Sequence, residues 1–164
     1  MRKTLLILLL LPLLAESQIA GYGSVGTALF SSAKFETSVG VNFGLGIRTG
    51  AFTTGLSFDM FTFSEKKTKY SIVSADFRAF LEGIDKNITP FIAAQPGFVL
   101  HDNSAGGIST KGTVSFAVLA GMSLRLKNRF PGILIGMGYQ NISFKTTGKI
   151  QRYDGVKLNV GISI

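Results

Sequence analysis

Apolar and polar residues alternate through most of this chain. In residues 37–48, every second residue from Val39 to Ile47 is apolar, and the flanking and intervening residues are Ser, Gly, Asn and Arg. Side chains alternate between the two faces of a β-strand, so this pattern predicts a strand with one apolar and one small, polar face. After residue 17, no segment has its apolar residues at the spacing of a helix. The pattern recurs and predicts eight strands: 19–30, 37–48, 52–63, 70–81, 90–100, 113–126, 133–144 and 156–164.

The last predicted strand alternates without a break from Val156 to Ile164. Such a strand needs a partner, because an unpaired edge presents open N–H and C=O groups. Pairing with the first strand, 19–30, would supply that partner by closing a barrel. We therefore predict an all-β fold, an eight-stranded antiparallel up-and-down barrel with both termini on one rim. Most connections on the other rim are long and polar, at 66–69, 101–111 and 145–155, which predicts short turns on one rim and longer loops on the other.

The N-terminal residues have a different pattern. Arg2 and Lys3 precede an apolar run at 5–14, and Ala15-Glu-Ser17 has small residues at the two positions that a signal peptidase reads. The apolar run is about half of the roughly 20 residues that a membrane-spanning helix needs. This pattern predicts a cleaved signal peptide at 1–17, followed by one barrel domain at 18–164.

Alternation alone leaves two classes of barrel open. The polar face of a secreted soluble barrel that binds an apolar ligand would meet water and be rich in Lys, Glu and Thr. Here the polar face is mainly Gly, Ser, Thr and Asn, which fits the narrow lumen of an eight-stranded barrel, and the apolar face then suits lipid. We favour a transmembrane β-barrel and keep the soluble barrel as the alternative. The charged residues of the inward face are predicted to form a lumen network: Asp59, Asp76, Arg78 and Arg125.

The signal peptide, the eight amphipathic strands and the apolar last strand together resemble the small eight-stranded outer-membrane β-barrel family of Gram-negative bacteria. OmpX-like proteins and the OmpA transmembrane domain belong to that family. The resemblance covers residues 18–164 and is architectural. It implies an outer-membrane protein inserted by the barrel-assembly machinery, with a structural or surface-interaction role. Members usually end on an aromatic residue, whereas this chain ends on Ile164.

The lumen of so small a barrel holds side chains and no water-filled channel, so we expect a monomer that is not a general porin. The net charge of +8 at pH 7 indicates an anionic neighbour. For an exported protein that neighbour is a charged membrane surface rather than nucleic acid. Several basic residues of the longer loops are candidate contacts to lipopolysaccharide phosphates. They are Lys66, Lys67, Lys69, Lys149 and Arg152.

Two motifs suggest other functions. His101, the single histidine, stands in His101-Asp-Asn-Ser104, and some barrels of this size are lipid A-modifying enzymes that use a histidine, a serine and a carboxylate. Neighbours in sequence seldom adopt the geometry of a nucleophile and its base, so a lipid A enzyme is the second alternative and we expect no catalysis. Gly21-Tyr-Gly-Ser-Val-Gly26 matches the dinucleotide fingerprint, but no helix is predicted after it. We expect no cofactor, and with no cysteine and one histidine a transition-metal site is not expected either.

Overall fold

Eight β-strands close into one antiparallel barrel in the computed structural model of this protein. The structure describes residues 18–31, 35–63, 69–81, 87–102, 114–125, 132–146 and 149–163. The strands are β1 (Gln18–Ser31), β2 (Phe35–Thr49), β3 (Phe52–Phe63), β4 (Lys69–Phe80), β5 (Ile88–Asp102), β6 (Val114–Leu124), β7 (Gly132–Thr146) and β8 (Lys149–Ser163). The predicted signal peptide at 1–17 lies outside these residues and stays a prediction.

Strand β8 closes the barrel by pairing with β1. The antiparallel ladder runs from Tyr22 opposite Ser163 to Ser31 opposite Asp154. Every other strand pairs with its sequence neighbours, and the all-β, eight-stranded antiparallel fold predicted from the sequence is confirmed. The dinucleotide-like glycine motif lies inside β1, where the chain stays extended.

Strand β8 is longer than the sequence predicted. It begins at Lys149 rather than Val156, because the β7–β8 ladder continues to the pair Thr146–Lys149. The expected long loop at 145–155 is therefore mostly paired backbone with a two-residue connection. Ladder hydrogen bonds sustain this extension, although residues 149–155 do not alternate regularly between apolar and polar. We refer to residues 141–146 and 149–154 as the β7–β8 arm.

The two ends of the barrel differ in the connections and chain termini that they hold. The terminal rim holds the start of β1, the end of β8 and the connections β2–β3, β4–β5 and β6–β7. The loop rim holds the four remaining connections, of which the longest joins β5 to β6. Among the described residues, no helix is long and apolar enough to span a membrane.

The outer surface is apolar, and more than half of the described buried side chains are polar or charged. Large hydrophobic side chains point outward, with exposed fractions of 67% for Leu45 and 65% for Phe98. Asp59, Gln95 and Lys157 are almost fully buried. A protein dissolved in water has the opposite arrangement. The strands thus turn their apolar faces outward and their polar faces inward, as the sequence pattern predicted.

Candidate functional site

The centre of the lumen is an ion pair between β8 and β3. The Nζ atom of Lys157 lies 2.8 Å from Oδ1 of Asp59, and the side chains are 0% and 2% exposed. Asn42 on β2 lies directly opposite Asp59 in the ladder, and its amide nitrogen donates to the same oxygen at 2.6 Å. Two donors on one carboxylate offset part of the free-energy cost of burying its charge.

A second ion pair forms within β4. Asp76 and Arg78 are two residues apart, so both side chains point into the lumen. The Nη2 atom of Arg78 lies 3.0 Å from Oδ2 of Asp76, and Nε donates to the same oxygen at 3.1 Å. Tyr22 on β1 donates its hydroxyl to that oxygen at 2.5 Å, and its ring centroid lies 3.7 Å from the guanidinium carbon of Arg78. The tyrosine thus contacts both members of the pair.

Gln95 on β5 connects the two ion pairs. Its amide nitrogen donates to the Tyr22 hydroxyl at 3.3 Å, and its amide oxygen accepts from Lys157 Nζ at 3.5 Å. Among the described residues, the buried charged side chains are two acids and two bases, and all four belong to this network. The formal charges of these four side chains sum to zero.

The structure distributes the predicted network residues between two places. Asp59, Asp76 and Arg78 lie inside the barrel within the hydrogen-bonded network. Arg125 follows β6 at the terminal rim, where it lines a cavity together with Arg78. The sequence reasoning placed Lys157 on the inward face but did not include it in the network. It also missed Tyr22, Asn42 and Gln95. Their positions on the inward-facing side of the alternating strands could have identified them.

An apolar cluster fills the lumen on the loop-rim side of the network. Its members are Ala28, Phe61, Ile72, Val99, Ile142 and Tyr153. The Phe61 ring centroid lies 5.4 Å from Nζ of Lys157, so the cluster sits against the central ion pair. We call this cluster the apolar plug. Its members are all buried inside the barrel.

A cavity of about 390 Å³ opens at the terminal rim. Arg48 and Arg125 line it near the rim, and the Asp76–Arg78 pair borders it toward the lumen. Phe80 contributes an aromatic wall. We call this cavity the terminal vestibule.

The outer face of the β7–β8 arm carries a small polar cluster beyond the apolar band. On β8 the outward residue after Val156 is Asp154, which accepts hydrogen bonds from the Tyr139 hydroxyl and, at 2.6 Å, from the Asn141 amide. These two hydrogen bonds, the one from Tyr139 foremost, hold the pKa of Asp154 below its usual value. Arg152 comes next on the same face and is exposed. The arm therefore projects polar groups where the apolar wall ends.

The other candidate residues lie at the loop rim or outside the described part of the chain. Lys66 and Lys67 fall in 64–68, which the structure does not describe. Lys69 and Lys149 are the first residues of β4 and β8, although their side chains lie outside the description. The side chains of His101 and Ser104 also lie outside it, so the structure does not test the enzyme alternative.

A closed eight-stranded barrel with an apolar exterior and buried charged side chains inside is the architecture of a small outer-membrane β-barrel. No protein-family model and no curated protein matches the sequence. Among solved structures, the crystal structure of Neisserial surface protein A, NspA, superposes with a TM-score of 0.73 at 14% identity, over 90% of this chain and 97% of NspA. The Yersinia pestis outer membrane protein Ail, in a phospholipid bilayer nanodisc, aligns with 90% of this chain and all of Ail at 14% identity and a TM-score of 0.45. The likeness to NspA confirms the predicted resemblance at the level of the fold.

Proposed function

We propose that this protein resides in the bacterial outer membrane as a monomeric, non-enzymatic barrel whose loop rim binds lipopolysaccharide phosphates. The observation that carries the proposal is the exposed Arg152 on the outer face of the β7–β8 arm, immediately beyond the apolar band. Lipid headgroups meet the wall of a transmembrane barrel at that level. A guanidinium there is placed for charge-assisted hydrogen bonds to a phosphate.

The neighbouring acid, Asp154, attracts Arg152 but leaves its side chain exposed. It lies two residues away on the same face, and its Oδ1 atom also accepts hydrogen bonds from Tyr139 and Asn141. Tyr139 also suits the membrane interface, since a tyrosine ring is apolar while its hydroxyl is polar, and here the hydroxyl donates to Asp154. The arm thus combines an interfacial tyrosine with an exposed base.

The amino-acid sequence adds further charge on the same rim. The loop-rim connections and adjoining strand ends contain eight basic and four acidic residues. The basic ones are Lys34, Lys66, Lys67, Lys69, Lys111, Lys145, Lys149 and Arg152. A surface with this excess of positive charge attracts the phosphate-rich outer leaflet.

The filled lumen supports a structural or surface-interaction role. The apolar plug and the network of Asp59, Lys157 and Gln95 occupy the described interior, which disfavours a general porin. The apolar exterior likewise disfavours the secreted soluble barrel. Resistance of the protein to carbonate or urea extraction, together with heat-modifiable migration on a denaturing gel, would support the membrane barrel. Release into the soluble fraction would support the alternative.

Charge reversal tests the lipopolysaccharide proposal. The triple variant Lys66→Glu, Lys67→Glu, Lys69→Glu is expected to lose most of its association with lipopolysaccharide-containing vesicles. A matched control makes the same change in charge on the terminal rim, through Lys86→Glu, Lys127→Glu and Arg129→Glu in the β4–β5 and β6–β7 connections. This control should bind like the wild type. Unchanged binding of the loop-rim variant would overturn the proposal.

The enzyme alternative has a separate test. Purified barrel would be incubated with lipid A, and the products examined for loss or gain of an acyl chain. We expect no change in the lipid. Acyl transfer or deacylation that disappears in His101→Ala would instead establish the lipid A enzyme.

A further inference from the structure

The described lining of the terminal vestibule is rich in arginine. Three guanidinium groups line it, from Arg48, Arg78 and Arg125, against the single carboxylate of Asp76. Arg78 is already paired with Asp76. Arg125 has a contact of its own, which leaves Arg48 as the candidate anion contact.

Arg48 has a buried donor that lacks an acceptor. Its Nε atom is shielded from solvent and has no hydrogen-bond partner in the described structure. Its guanidinium carbon lies 4.5 Å from the ring centroid of Phe80, and this cation–π contact fixes the group without satisfying its N–H. A buried donor without an acceptor lowers the stability of a protein by about 1–3 kcal/mol. The presence of such a donor at a cavity wall therefore needs an explanation.

The charge of Arg125 also acts on Arg48. Their like charges repel across the vestibule, and partial burial removes some of the water that would screen them. An anion between the two groups would relieve the repulsion and would give the Nε donor of Arg48 an acceptor. Side-chain hydroxyls on the lining, from Thr53, Ser123 and Ser163, add polar groups around the same space.

We propose that the terminal vestibule binds a small oxyanion, a phosphate or carboxylate group, with Arg48 as its principal contact. The volume of about 390 Å³ lies within the roughly 300–1,000 Å³ of small-molecule pockets. The oxyanion comes either from a soluble molecule or from a lipid headgroup at the terminal rim. This site is independent of the proposed lipopolysaccharide contact, which lies on the opposite rim.

The Arg48 side chain itself can report the binding. The barrel would be refolded in octyl glucoside, which carries no phosphate, and inorganic phosphate would be titrated while the Nε–H resonance of Arg48 is followed by ¹⁵N NMR. We expect a saturable shift of that resonance. In a second series without added phosphate, lipid bicelles would contain either phosphatidylglycerol or phosphatidylcholine. A shift with phosphatidylglycerol alone would identify an anionic headgroup as the source, and a shift in neither series would overturn the proposal.

A matched pair of variants tests the position of the site. Arg48→Gln should weaken phosphate binding at least tenfold by calorimetry, whereas Thr54→Val, an outward-facing change on the neighbouring strand β3, should bind like the wild type. Arg48→Lys retains the charge without the Nε donor, and its affinity should fall between the two. Heat-modifiable migration would reveal whether Arg48→Gln folds. If it does not fold, the affinity of Arg48→Lys for phosphate tests the site instead. Equal affinity of the Arg48 variants and the wild type would overturn the assignment.

Discussion

Lys157 and Asp59 form an ion pair across the lumen, with 2.8 Å between Nζ and Oδ1, although 98 residues separate them in sequence. Lys157 is 0% exposed and Asp59 is 1% exposed. Each charge therefore depends on the other for compensation, together with the hydrogen bond from Asn42 to Asp59. Barrel closure places β8 and β3 so that this contact spans the interior.

Removing one member of this pair should be more harmful than removing both. Lys157→Met leaves the Asp59 carboxylate buried without its cation, and a loss of about 3–5 kcal/mol in the free energy of unfolding is expected. Urea unfolding in lipid vesicles, followed by circular dichroism, would measure the loss, because the chain has no tryptophan. Adding Asp59→Asn should restore most of the stability. A double variant as unstable as the single one would contradict this explanation.

The sequence predicted which residues face the lumen but not which of them touch. Parity alone places Asp59, Asp76, Arg78 and Lys157 on the inward face, because side chains alternate along each strand. The contact between Asp76 and Arg78 is local, since they are two residues apart on one strand. The partner of Lys157 depends on strand order, register and barrel diameter together, which no single segment encodes.

The Tyr22 ring lies over Gly44, its partner in the β1–β2 ladder. A Cβ atom at Gly44 would lie 2.0 Å from Cε1 of Tyr22. Gly44→Ala should therefore displace the ring, break the hydrogen bond from Tyr22 to Asp76, and destabilise the barrel by about 1–3 kcal/mol. The same unfolding measurement applies.

Gly23→Ala is the control for this substitution. It lies on the outward face of the same ladder, and its Cβ would meet Phe43 at an ordinary contact distance of 3.6 Å. Its stability should match that of the wild type. Equal effects at the two glycines would show that backbone flexibility, rather than the position of Tyr22, determines the outcome.

If the apolar exterior faces lipid, the cost of an outward-facing arginine should depend on its depth in the bilayer. Val160 lies in the middle of the outward apolar face of β8 and is 58% exposed. In a lipid bilayer, Val160→Arg should cost about 2–4 kcal/mol, whereas Ile19→Arg, near the terminal rim, should cost about 0–1 kcal/mol. Unfolding in vesicles of defined thickness would compare them. Similar small costs at both positions would indicate an exterior that meets water.

The β7–β8 arm shows a second limit of the sequence pattern. Its residues alternate less clearly in hydropathy, so the sequence predicts a loop at 145–155, whereas β8 begins at Lys149. The outward residues Asp154 and Arg152 are polar, so hydropathy loses its period on this part of β8 even though the backbone remains paired. In residues 149–155, only Ile150 and Tyr153 have large apolar side chains.

Ile142 anchors the arm to the apolar plug. It is 0% exposed and belongs to the cluster with Phe61, Ile72 and Tyr153. Ile142→Ala would leave a cavity at the base of the arm, and such truncations cost about 2–5 kcal/mol. Because the arm has no other described apolar anchor than Tyr153, the loss should appear first as faster amide hydrogen exchange in 143–146 and 149–152. The adjacent outward change Ser143→Ala should leave those rates unchanged, and uniform acceleration over all eight strands in Ile142→Ala would show that the plug stabilises the whole barrel rather than the arm.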